Sequence, residues 1–178
     1  METNPMQPNR AARRAAAKAS RHATRRPRRP VDELAAFRRL QTARARASTE
    51  QLDAAQLQDL GIGYHGALAA IVQGRGTWDD ANTLALAANV ALLQCEHGLG
   101  LDEIITVRRA QEAVVNLTQR GTLGGRYVLT GAELRDLQAL LELHEAQLAH
   151  EACTEGVMVA VLEEIKRRVT AGNVMGSL

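Results

Sequence analysis

Aromatic side chains are nearly absent from the sequence: they make up 2% of its 178 residues, although apolar residues make up 46%. A core with so few rings must consist of leucine, alanine, valine and isoleucine, a composition that favours helices packed on helices. The scarcity of rings also argues against single-stranded nucleic acid as a ligand, because bases stack on aromatic side chains. The longest apolar run, TLALAANVALLQC, is too short to span a membrane.

Catalytic and metal-binding motifs are missing as well. Two His-Glu pairs, at His144 and His150, lack the second histidine of the zinc motif H-E-x-x-H. The glycine-rich stretch RGTLGGRY lacks the Lys-Ser/Thr pair that ends a phosphate-binding loop. The sequence therefore predicts no catalytic residue, no metal and no cofactor, and the chain is not expected to be an enzyme.

Cysteine is scarce, and its two copies are far apart. Cys95 and Cys153 lie at no spacing that is typical of a metal or redox site, and both fall in apolar helical contexts. They are expected to be buried thiols in a reducing compartment, which favours a cytoplasmic location. His144 lies on the apolar stripe of its predicted helix, and we expect a hydrogen-bonded histidine at the edge of the core.

The net charge of +2 conceals a division of charge along the chain. Residues 1–48 carry a net charge of +10, whereas residues 49–178 carry −8. This asymmetry predicts a basic tail attached to a mildly acidic domain. Twenty of the 22 basic residues are arginine, which contacts phosphate with two nitrogens at once. An alternative cause is the codon bias of a GC-rich genome, which would point to a bacterium or its phage.

The basic residues concentrate in the stretch NRAARRAAAKASRHATRRPRRP, residues 9–30, which has no acidic residue. We predict that residues 1–30 form a disordered tail and linker that contacts nucleic acid, with DNA backbone phosphates as the expected target. The candidate binding residues are Arg10, Arg13, Arg14, Lys18, Arg21, Arg25, Arg26, Arg28 and Arg29. An import presequence is less favoured, because the apolar residues there are nearly all alanine, and no secretory signal is expected.

The remaining sequence predicts an all-α fold, a single bundle of about five to six helices over residues 31–171, followed by a flexible end at 172–178. Helices are expected at 31–47, from a cap at Ser48 or Thr49 to about 73, at 78–97, at 102–119, after Thr130, and at 154–171. The helix that follows Thr77 is apolar on every side, so it should lie at the centre of the bundle. RGTLGGRYVLTG is predicted to be irregular up to a capping box of Thr130 and Glu133.

Two stretches resemble known proteins. The motif RGTL, Arg120–Leu123, resembles the recognition helix of Fis-type bacterial regulators. That resemblance implies a helix-turn-helix in which the motif opens the second helix and faces the major groove of DNA. The opening NRAARRAA and the Ala/Leu-rich helices are similar to those of small uncharacterised helical proteins of proteobacteria and their prophages.

Two functional hypotheses follow from these observations. In the first, the chain is a regulator-like, DNA-binding protein whose basic tail neutralises phosphates without reading sequence. In the second, the helical domain is a protein-interaction or phage-assembly module, binding a partner or a second copy of itself, and the tail is a solvated extension. No membrane association is expected. The acidic domain favours the second hypothesis, and the basic tail favours the first.

Overall fold

Six helices account for most of the residues that the computed structural model describes, which are 33–172, without the side chains of 33–37, 39 and 40. The helices are α1 (Glu33–Arg46), α2 (Ala54–Val72), α3 (Trp78–Glu96), α4 (Ile104–Gly124), α5 (Gly131–Leu148) and α6 (Glu155–Thr170). A 3₁₀ turn at Leu101–Glu103 precedes α4. Within residues 33–172 there is no strand, so the predicted all-α class and helix number are confirmed.

The chain divides into two units after residue 40. The first eight residues of α1 belong to the first unit, and the bundle described below belongs to the second, Gln41–Leu178. The predicted tail at residues 1–30 and the chain end at 173–178 lie outside the described residues. The predicted domain boundaries therefore stay predictions.

Side-chain caps fix where most helices begin. Thr77 caps α3 and Thr130 caps α5, each through a reciprocal capping box with the residue three positions on, as predicted for Thr130 and Glu133. The predicted start of α2 is wrong: the helix begins after Asp53, which forms a capping box with Gln56. The reason is a distant contact: the backbone N–H of Glu155 donates to the carbonyl of Glu50 at 2.9 Å, which fixes that residue beside the start of α6.

Helix α3 lies at the centre of the bundle, as its sequence predicts. Twelve of its residues between Ala81 and Cys95 are buried. The helix packs against α2, α4 and α5 along the main core, which is made of leucine, alanine and valine. Its second half also packs against α6, where Val90 and Leu93 contact Val161 and Ile165. The apolar pattern on all sides of α3 is thus matched by neighbours on several sides.

The start of α6 is held by the segment that follows α1. Gly156 lies so close to this segment that an added Cβ would be 2.6 Å from the carbonyl oxygen of Ser48 and 2.8 Å from that of Arg46. Gln51 forms an isolated bridge with Thr154, and Arg46 forms an ion pair with Glu163. We call these contacts the Gly156 seam.

The two cysteines are free thiols buried in the core, as predicted. Burial raises the pKa of both, so both stay protonated at neutral pH. Of the helices that the structure describes, none has the length and apolar character that crossing a membrane requires.

Candidate functional site

The predicted nucleic-acid-binding residues, from Arg10 to Arg29, all lie outside the described residues. Their role in binding nucleic acid therefore stays a prediction. The candidate site described below lies in the helical body, whose side chains and cavities the structure describes.

Five arginines of the helical body form ion pairs with carboxylates. Arg168 contacts both Glu96 and Glu164, at 2.6 and 2.7 Å, and its hydrogen bond to Glu96 lowers the pKa of that carboxyl. Further ion pairs join Arg46 to Glu163, Arg109 to Asp136, Arg120 to Glu133, and Arg167 to Glu164. Because these cations are neutralised locally and residues 49–178 carry −8, the helical body is a poor surface for a polyanion.

An apolar groove of about 500 Å³ lies between α3 and α4. Trp78 stands at its outer end with 41% of its surface exposed, and Leu123 beside it is 88% exposed. The groove is lined by Trp78, Ala81, Asn82, Ala85, Val114, Val115, Thr118, Gln119, Thr122 and Leu123. No charged side chain lines it, and its polar groups are amides and hydroxyls. We call this surface the α3–α4 groove.

The groove exists because α3 presents small residues where it faces α4. Ala81 and Ala85 are one turn apart, so the two helices leave room between them. One turn further along both helices, the Gln111 side chain donates to Asn89 Oδ1 at 3.1 Å, and Arg108 donates to Gln111 at 3.2 Å. This pair of hydrogen bonds lies beyond the inner end of the groove.

A second, shallower pocket lies on the other side of Leu123. It is lined by Asn116, Gln119, Arg120, Leu123, Gly124, Arg126 and Val128. Gln119 and Leu123 line both spaces. Leu123 is therefore a ridge between an apolar groove and a pocket that contains two guanidinium groups, which we call the arginine pocket.

The RGTL segment ends α4, and the prediction that it is irregular is wrong for Arg120–Gly124. Gly121 lies within this last part of the helix, and the ring of Tyr127 packs where a Cβ at position 121 would be. Arg120 donates to the carbonyl of Val128 at 2.9 Å and to Glu133 at 2.6 Å. The segment thus closes one helix, whereas in the Fis-type resemblance it would open the second helix of a pair.

Glu133 joins the end of α4 to the start of α5. Its carboxylate accepts from Arg120 and, at 2.7 Å, from the backbone N–H of Thr130. Burial raises its pKa, but the hydrogen bonds from Thr130 and Arg120 together outweigh that effect, so its pKa lies below the usual value. This carboxylate therefore holds the turn that presents Leu123 and Arg126.

A cluster of buried polar side chains lies on the opposite side of α3, where it meets α5. Gln147 donates to the carbonyls of Leu99 at 2.7 Å and Ala91 at 3.2 Å. His144 is fully in the core rather than at its edge, and its Nδ1 has no hydrogen-bond partner in the part of the chain that the structure describes. Burial lowers its pKa to about 4, against smaller effects of Gln147 and Glu145, so the ring is neutral at pH 7.

No group of three His, Cys, Asp or Glu side chains within residues 33–172 is placed to hold a metal ion. Comparisons with known protein families, with curated proteins and with solved structures found nothing that matches this chain. The Fis-type and prophage resemblances therefore stay predictions.

Sequence reasoning missed the groove, and two signals could have revealed it. Trp78 is the only tryptophan of the chain and stands at a helix start, where the core of a bundle has little room for it. Val115 and Leu123 lie off the core stripe of α4 that Val107, Val114 and Thr118 define. Large apolar residues outside the core stripe indicate a second contact surface.

Proposed function

We propose that the helical body is a protein-interaction module whose α3–α4 groove holds an amphipathic helix of a protein partner. The observation that carries this proposal is the uncharged groove of about 500 Å³ flanked by exposed Trp78 and Leu123. The centres of protein interfaces are depleted of charge and rich in aromatic anchors.

The dimensions of the groove favour a helix as its occupant. From Trp78 to Ala85 the groove follows eight residues of α3, seven steps of helical rise and so about 10 Å. Three side chains at positions i, i+4 and i+7 of a docked helix cover that length. Recognition of a helix in a groove depends on anchors at this spacing. The amides of Asn82 and Gln119 would remain available at the rim.

Trp78 makes the proposal directly measurable, since its fluorescence reports on the groove alone. The probe is a synthetic helical peptide of about 18 residues with three leucines at i, i+4 and i+7, compared with the same residues in scrambled order. The leucine-striped peptide is expected to shift the emission of Trp78 to shorter wavelength and to saturate, whereas the scrambled peptide has no effect.

Three variants locate the binding. Leu123→Asp and Val115→Asp are expected to weaken binding at least tenfold, because each places a charge on an exposed apolar residue that lines the groove. Ile62→Asp on α2 is the matched control, because Ile62 is an equally isolated apolar residue with 64% of its surface exposed. This control is expected to bind the peptide as the parent does.

Two results would overturn the proposal. One is the absence of any Trp78 response to the striped peptide up to about 1 mM. The other is a Trp78 emission that changes with the concentration of the protein alone while sedimentation shows a dimer, since a second copy would then fill the groove.

We also propose a second function, association with nucleic acid through residues 9–30, because that segment contains nine basic residues and no acidic residue. Binding of this kind involves phosphates, so it weakens steeply with salt and does not depend on sequence. The test is a mobility shift on random duplex DNA with the full chain and with a chain that starts at Val31. A shift for the full chain only is expected, and equal shifts or none would refute it.

A further inference from the structure

The arginine pocket adjoins the proposed helix-binding groove and differs from it in charge. Both spaces share the ridge formed by Gln119 and Leu123. A helix that lies in the groove and continues past Leu123 therefore reaches the arginine pocket with its next turn. The chemistry of that pocket determines which residue the partner can carry there.

Arg120 contributes little free charge to this pocket. Its Nη2 contacts Glu133 at 2.6 Å, and its Nε donates to the carbonyl of Val128 at 2.9 Å. The guanidinium of Arg120 is thus neutralised by Glu133 and held against the turn between α4 and α5. Arg120 therefore lines the pocket, and Arg126 supplies the positive charge that a ligand would meet there.

Arg126 is exposed and forms no ion pair or hydrogen bond with the residues that the structure describes. It follows the carboxyl end of α4, where the helix macrodipole is negative and repels an anion. Any preference of the pocket for an anion must therefore come from Arg126. The amides of Asn116 and Gln119 supply additional hydrogen-bond donors in the same pocket.

We infer that the arginine pocket is a carboxylate subsite, in which Arg126 pairs with an Asp or Glu of the partner helix one turn beyond its last apolar anchor. This inference rests on the proposed function of the groove. It specifies the partner segment as a stripe of apolar residues followed by an acidic residue. A single rim ion pair of this kind contributes to specificity more than to affinity.

The experiment uses three versions of the striped peptide that carry Glu, Gln or Lys one turn beyond the last leucine. The full-length protein is expected to bind the Glu peptide about tenfold more tightly than the Lys peptide, with Gln between them. This preference should shrink as salt is raised, because the pair lies at the surface. Binding is followed both by Trp78 emission and by the anisotropy of a labelled peptide.

Arg126→Glu is expected to reverse the order of the three peptides while leaving the Gln peptide nearly unchanged. Arg44→Glu is the matched control, since it changes the net charge equally at an exposed arginine of α1, outside both spaces. Reversal in the first variant and not in the second assigns the preference to the subsite, independently of net charge.

The two proposals fail in different ways. If the three peptides bind with equal affinity, or if Arg126→Glu leaves their order intact, the carboxylate subsite is refuted and the groove stands. If no striped peptide binds, or if Leu123→Asp leaves binding intact, the groove itself is refuted and the subsite with it.

Discussion

The two halves of α3 differ in how much of their surface the rest of the chain covers. In the second half, Val90 and Leu93 are covered by Val161 and Ile165 of α6. In the first half, Ala81 and Ala85 are buried as well, but Trp78 at the helix start is 41% exposed and borders the α3–α4 groove. A helix that is apolar on all sides can therefore still leave part of its surface uncovered by its own chain.

The largest effect should separate the covered half of α3 from the rim of the groove by stability. Leu93→Ala in the covered half is expected to lower the free energy of unfolding by about 4 kcal/mol, since a fully buried leucine leaves a cavity. Leu123→Ala at the groove should change it by less than about 0.5 kcal/mol, because the side chain is 88% exposed. Urea unfolding followed by circular dichroism measures both, and similar losses at the two positions would break the comparison.

The second-largest effect is a loss of folding stability as the pH falls. The pKa of His144 is about 4 in the folded protein and 6.5 in the unfolded chain, so only the unfolded chain binds a proton between these values. Stability is fully present above pH 6.5 and falls by about 3 kcal/mol as the pH drops to 4.

His144→Leu should flatten the pH dependence of stability between pH 6.5 and 4, while the same change at exposed His150 should not. Unfolding by urea at a series of pH values provides the measurement. A parent protein that is equally stable at pH 7 and pH 4 would contradict the assignment.

The smallest effect on stability is expected at Glu133, which holds the turn between α4 and α5. Glu133→Gln should cost about 1 kcal/mol at pH 7, because the substitution removes the charge that Arg120 and the Thr130 backbone contact. The folded pKa of Glu133 is lowered, so its contribution is present above the unfolded value of 4.5 and is lost as the pH falls. The difference between variant and parent should therefore vanish in strong acid, and exposed Glu142→Gln should show no difference at any pH.

Local signals in the sequence predicted the helices well. The capping box of Thr130 and Glu133, the cap at Thr77 and the apolar surface of α3 depend on neighbours within one or two turns, so a sequence displays them. The fold class and the position of α3 follow from such signals.

The errors arose where distant parts of the chain meet. Contact with Glu155 fixes Glu50 and delays the start of α2. In α4 the glycine at 121 provides room for the ring of Tyr127 and does not end the helix, which runs on to Gly124. The groove depends on a distant contact too, because it lies where α3 packs against α4. Trp78 at a helix start and the apolar residues off the core stripe of α4 mark an exposed surface in the sequence, but they do not show which helix borders it.

The Gly156 seam has a consequence for which sequences can adopt this fold. Two backbone carbonyls lie within 3 Å of the place where any other residue would put its first side-chain carbon, and carbonyls of a fixed segment cannot turn aside as a flexible side chain can. Saturation mutagenesis at position 156, scored by the yield of folded protein, should recover glycine and nothing else. Even alanine, the most permissive helix former, should be rejected there.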